Sequence, residues 1–110
     1  MVGQKLNKEE QDMITLEQFI QMVYVTDEEI ERDSFNKEVE SAERKGVEEY
    51  IRIKRCGMPP KKWSFTIHGS HKEKFVYELV DKYKKSGYSK VDAIYTQSGH
   101  EYVWKFILTL

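Results

Sequence analysis

After Gly46 the spacing of apolar residues changes from one that suits a helix to one that suits a strand, and that change most constrains the fold. Before it, apolar side chains recur at three- and four-residue intervals; after it, they alternate. The chain therefore reads as α+β, with N-terminal helices followed by a ββαββ unit whose four-stranded sheet is mainly antiparallel. Its 110 residues are one domain's worth, because two separate cores of half that size would each be marginal. The expected parts are a frayed start over 1–13, an acidic helical part over 14–46 and a basic ββαββ part over 47–110.

In the helical part, Thr15 and Gln18 have the spacing of a capping box, and Ile14 can staple onto Phe19. This predicts a helix to about Tyr24 with Leu16, Phe19, Ile20 and Val23 on one face. The same device recurs with Thr26 as cap, Glu29 completing the box and Val25 paired with Ile30. A longer stretch from Ser34 to Lys45 carries Phe35, Val39 and Ala42 at helical spacing, with Gly46 as its stop. Residues 26–45 fit one bent helix or two short ones.

Beyond Gly46, Ile51 and Ile53 alternate with Tyr50, Arg52 and Lys54, which predicts a first strand over 49–55. Pro59 and Pro60 interrupt it. Trp63, Phe65 and Ile67 then alternate with Ser64, Thr66 and His68 as a second strand, paired with the first in a hairpin. Ser70 and Glu73 make a third capping box and open a helix over 71–85, whose apolar stripe is Phe75, Val76, Leu79, Val80 and Tyr83. A second hairpin is expected around Ser98-Gly99, setting Tyr95 opposite Tyr102, Ala93 opposite Trp104, Val91 opposite Phe106 and Asp92 opposite Lys105. The 71–85 helix should cover the face that carries Ile51, Ile53, Trp63, Phe65, Ile67, Trp104 and Phe106.

The net charge of −1 conceals a strong division. Residues 1–49 hold 14 acidic and 6 basic side chains, a net of −8, whereas residues 50–110 hold 12 basic and 5 acidic, a net of +7. Such a split serves attraction between the two halves, pairing with a second copy in a homodimer, or steering of a macromolecule. No apolar run reaches the roughly 20 residues that cross a bilayer, and the first residues lack the apolar stretch of a signal peptide. The single cysteine, Cys56, excludes an internal disulfide. The expectation is a cytoplasmic protein with no membrane partner.

Chemistry finds little support in the residues. His68, His71 and His100 lack the paired spacing and fourth ligand that zinc requires. Ser70 is accounted for as a helix cap. Cys56 has Lys54 and Arg55 beside it, which favours a thiolate, but no base to orient it. The glycines stand singly at expected element ends, so no phosphate cradle forms. No catalytic residue, no cofactor and no metal is therefore expected.

What remains is the second face of the sheet, expected to carry Tyr50, Arg52, Lys54, Ser64, Thr66, His68, Lys90, Thr96, Lys105 and Thr109. Cations, hydroxyls and an aromatic on an open sheet are ingredients of nucleic-acid binding; Ile94, Val103 and Ile107 on the same face favour cover by the acidic helices instead. The preferred expectation is a small non-enzymatic interaction module, an adaptor, inhibitor or regulator that binds a protein partner. The alternative is nucleic-acid binding, and an enzyme of unknown type is third. For either macromolecule the candidate contacts are Arg52, Lys54, Lys61, Lys62 and Lys105.

Overall fold

One helix of 40 residues, α1 (Leu16–Arg55), replaces the separate helices and the first strand that the spacing suggests. It belongs to a computed structural model that describes residues 13–110, so the expected frayed start lies, but for Met13, outside the described residues. The entrance to α1 is the expected capping box: Gln18 N–H donates to Thr15 Oγ1 at 3.1 Å, and Thr15 N–H donates to Gln18 Oε1 at 3.1 Å. Thr26 and Glu29 repeat the pattern but begin nothing, because the helix already runs through them. A capping residue starts a helix only where the preceding backbone leaves it.

Gly46 is not a stop either. It is buried within α1, and a Cβ there would come within 2.5 Å of the Ser64 carbonyl oxygen and 3.0 Å of the Trp63 ring. Glycine is present because helix and strand backbones approach too closely for any side chain. The expected first strand at 49–55 is the continuation of α1. Two isoleucines in alternation are too short a signal to separate strand from helix, while Gly46, Tyr50 and Ile53 also recur at i, i+4 and i+7. Glu49 and Arg52 form an i, i+3 pair, and the cations Arg52, Lys54 and Arg55 in the last turn suit a helix C-terminus. Ile51 and Ile53 consequently stay outside the core.

The remaining elements are β1 (Lys62–His68), α2 (Glu73–Lys85), β2 (Lys90–Ser98) and β3 (Glu101–Thr109). Among the described residues the sheet has three strands, not four, in the order β1-β3-β2, with β3 antiparallel to both neighbours. The β2–β3 hairpin keeps the expected faces but shifts in register. Tyr95 lies opposite Trp104, Ala93 opposite Phe106 and Val91 opposite Leu108, because Gly99 and His100 form the turn in place of Ser98 and Gly99. Gly99 has φ +65°, so glycine takes the first central position, which a II′ turn reserves for it. A shift of two residues preserves the alternation and so cannot be detected from it.

Two compact units divide the chain, one ending at Glu31 and one spanning Arg32–Leu110. The second holds the core. The sheet contributes Phe65, Ile67, Val91, Trp104, Phe106 and Leu108; α2 contributes Phe75, Val76 and Tyr83; α1 contributes Phe35 and Val39. Phe65 and Phe106 stack at 4.9 Å. The Tyr83 hydroxyl donates to Glu43, and burial followed by that carboxylate pushes its pKa up. The other face of the sheet carries Ser64, Thr66, His68, Lys90, Thr96, Lys105 and Thr109 as expected, whereas Tyr50, Arg52 and Lys54 belong to α1.

Candidate interaction surfaces

The five candidate cations are not equivalent once the chain is folded. Arg52 and Lys54 lie in the last turn of α1, Lys61 just before β1, Lys62 at its first residue and Lys105 in the middle of β3. Lys62 and Lys105 line one cavity of about 260 Å³ whose apolar walls are Tyr50, Ile53, Pro60, Trp63 and Ile107. Glu49 lines it too, and Arg52 Nε donates to Glu49 Oε1 at 3.1 Å. That hydrogen bond holds the Glu49 carboxyl below the usual carboxylate range and raises the guanidinium. Lys54 and Lys61 stay outside the cavity. A neighbouring cavity of about 480 Å³ shares Gly46, Glu49, Ser64 and Lys105 with the first and extends to Glu38 and Lys45, so a groove follows the seam between α1 and β1. Apolar walls with a few cations are the composition of a small ligand or peptide site.

A second grouping forms at the corner between β1 and α2. His71 Nε2 lies 2.6 Å from Glu38 Oε1, and the backbone N–H of His68 donates to Glu38 Oε2 at 2.6 Å. Burial raises the Glu38 carboxyl, but the hydrogen bonds from His71 and from the His68 backbone outweigh it and hold the pKa below its ordinary value. The His71 side chain is only 10% exposed and meets Phe35 edge-on at 5.2 Å. It is therefore largely enclosed at this corner.

Ser70 is not the cap of α2. Lys72 occupies that position and contributes no side-chain cap, and Ser70 serves the turn before it. Its backbone N–H donates to His68 Nδ1 at 3.1 Å, and its Oγ lies 2.8 Å from the same nitrogen. An Nδ1 that accepts the backbone N–H is unprotonated, so the hydroxyl donates to it as well. His68 Nε2 is 3.9 Å from Glu101. The order serine, histidine, glutamate superficially matches a hydrolase, but His68, Ser70 and Glu101 are all exposed and the turn itself uses the basic nitrogen. Glu38 could not be picked out from the sequence, since its partners lie 30 and 33 residues away. Cys56 is exposed just beyond α1, and His100 lies in the β2–β3 turn. Among the described residues no group of His, Cys, Asp and Glu is placed to hold a metal ion.

The third surface belongs to the first unit. Leu16, Phe19, Ile20, Val23 and Ile30 recur at i, i+3, i+4, i+7 and i+14 along α1, and all are exposed. Met22, Tyr24 and Val25 are exposed beside them. Residues 16–31 include five acidic side chains, Glu17, Asp27, Glu28, Glu29 and Glu31, and no basic one. The helical stripe itself was legible in the sequence; its exposure among the described residues was not.

No family model matches the chain, and no curated protein or solved structure matches it significantly.

Proposed function

We propose that this chain is a non-enzymatic interaction module that acts by binding a protein partner through residues 16–30 of α1. The observation that carries this reading is the exposed stripe of Leu16, Phe19, Ile20, Val23 and Ile30. An amphipathic helix with its apolar side uncovered is suited to lie in a hydrophobic groove, with side chains at i, i+3, i+4 and i+7 as anchors. The net negative charge of residues 16–31 defines the partner's chemistry: an apolar groove bordered by lysine and arginine. The same acids disfavour an anionic membrane surface and a phosphate backbone as occupants of this stripe. Among the described residues, no helix is long and apolar enough to cross a membrane.

A photo-crosslinking residue at Phe19 should capture a partner that one at Lys105 does not. With that partner purified, Val23→Asp should weaken binding on the order of tenfold or more, as for a central anchor, and added salt should weaken it further. Unchanged affinity in Val23→Asp would sink the proposal.

The basic grouping supports a second reading, nucleic-acid binding, because Lys62 and Lys105 converge on one cavity beside Arg52. Submicromolar affinity for RNA or DNA near physiological salt, abolished by Glu at Arg52, Lys54 and Lys105, would replace the first reading. For duplex DNA, affinity would then fall by roughly 0.9 log unit per contacted phosphate for each tenfold rise in salt.

A further inference from the structure

The two outer strands of the sheet are finished differently. Gly69 N–H donates to the Tyr102 carbonyl at 3.0 Å, and Leu110 N–H donates to the Lys61 carbonyl at 2.8 Å. These bonds fix which β3 residues turn their backbone groups toward β1: the even-numbered ones. By the alternation of an antiparallel ladder, odd-numbered residues of β3 then turn toward β2, where they meet Lys90, Asp92, Ile94, Thr96 and Ser98. It follows that β1 aims the N–H and C=O of Lys62, Ser64, Thr66 and His68 outward, and β2 those of Val91, Ala93, Tyr95 and Gln97.

On the β1 side, α1 meets two of these residues, His68 and Ser64. Glu38 accepts the His68 N–H at 2.6 Å, and Gly46 lies over the Ser64 carbonyl. On the β2 side, no hydrogen bond from another described residue reaches the outward groups of Val91, Ala93, Tyr95 or Gln97. Natural sheets blunt such edges with proline, bulges, charge or a short strand. Here β2 runs nine residues in unbroken register, contains no proline and has no charged side chain from Ala93 to Ser98. Ile94 and Tyr95 are 46% and 52% exposed.

We propose that this edge is a pairing surface, and that its occupant is β2 of a second copy of the chain, antiparallel about a twofold axis at Ile94. Two three-stranded sheets then join into one of six strands. The strand's own sequence selects this partner. Ile94 is the midpoint of β2, so the axis there gives every residue from Lys90 to Ser98 an opposite number. The outward groups come into register, Val91 with Gln97 and Ala93 with Tyr95. On one face small Ala93 lies opposite large Tyr95; on the other, Lys90 meets Ser98, Asp92 meets Thr96 and Ile94 meets Ile94. No like charges are opposed. Moving the axis to Ala93 sets Asp92 against Ile94, and moving it to Asp92 sets two carboxylates face to face. This interface uses the second unit alone and stands independently of the function proposed for residues 16–30.

The test is sedimentation of the full chain over a range of concentrations, with substitutions at the axis. Ile94 is on the open face, so Ile94→Lys and Ile94→Glu leave the core intact, which circular dichroism checks. The unmodified chain should dimerise. Each substitution should weaken dimerisation on the order of tenfold, because it sets a like charge against itself. An equimolar mixture of the two variants should dimerise again, since lysine then faces glutamate. Backbone amide exchange reads the same edge without any substitution: the N–H groups of Val91, Ala93, Tyr95 and Gln97 should gain protection as concentration rises. A chain that stays monomeric, a dimer indifferent to both substitutions, or a mixture that fails to pair would each overturn the proposal.

Discussion

Phe19 and Phe35 are the same residue type in the same helix, yet Phe19 is 55% exposed and Phe35 is 3% exposed. Phe35 belongs to a set, with Val39, Ala42 and Gly46, that meets the sheet and α2. It touches the Phe75 ring at 5.6 Å and the His71 ring at 5.2 Å. Phe19 belongs to a stripe that is equally regular and is exposed among the described residues. Phe35 lies five positions after Ile30, which breaks the three-and-four recurrence, so the stripe at 16–30 is not an extension of the one that builds the core. The difference teaches that helical amphipathicity reports a need for cover, and that the same chain or another molecule can supply it.

The largest effect that can break this contrast is at Phe35. Phe35→Ala should destabilise the fold by about 3–5 kcal/mol, the usual range for a buried phenylalanine, measured by urea unfolding. A value below about 1 kcal/mol would remove Phe35 from the core. Next comes Gly46→Ala, for which helix propensity alone favours alanine by about 1 kcal/mol. The 2.5 Å approach to the Ser64 carbonyl reverses that sign, and a net loss of about 1–3 kcal/mol is expected from overpacking. A stabilised Gly46→Ala protein would mean that α1 does not rest on β1.

The Glu38 clamp predicts a smaller, pH-dependent effect. Its folded pKa lies below the ordinary 4.5, so its contribution is present above that value and is lost as pH falls through the folded pKa. The side chain is 38% exposed, and solvent screening limits the contribution to about 1 kcal/mol or less. In Glu38→Gln the unfolding midpoint should be lower at pH 7 and should lose less between pH 5 and pH 3 than that of the unmodified chain. Parallel curves would show that the carboxylate does not hold the corner. The smallest expected effect is at Phe19: Phe19→Ala should change stability by less than about 0.5 kcal/mol, as at other uncovered sites. A loss near that of Phe35→Ala would erase the contrast.

Legibility in the sequence followed the range of the interactions. The Thr15–Gln18 box, the α2 stripe and the inward faces of β1 and β3 depend on neighbours a few residues apart, and they read correctly. Ile51 and Ile53 misled because two alternating residues are compatible with both periods, while Gly46, Tyr50 and Ile53 recur at helical spacing and α1 runs on to Arg55. The hairpin register slipped because the pattern constrains faces and the turn constrains partners. Of the candidate cations, Lys62 and Lys105 converge on one cavity; nothing local to either residue announces that, since 43 positions separate them. Glu38 escaped for the same reason.

Every strand pairing in this sheet runs through β3, and β3 is the last of the three strands in the chain. Synthesis from the N-terminus therefore makes β1 and β2 before either has a neighbour. Phe65 and Ile67 wait through the making of α2 and β2 with no sheet to close over them, while α1 already has the residues that will shield the β1 edge. Once β3 emerges, the local β2–β3 turn closes at low entropic cost, and β1 must then find the far side of β3 across a much longer loop. A chain halted before Glu101 would hold two unpaired strands, with Phe65 and Tyr83 still lacking the Phe106 ring they pack against, and such exposed surface favours aggregation.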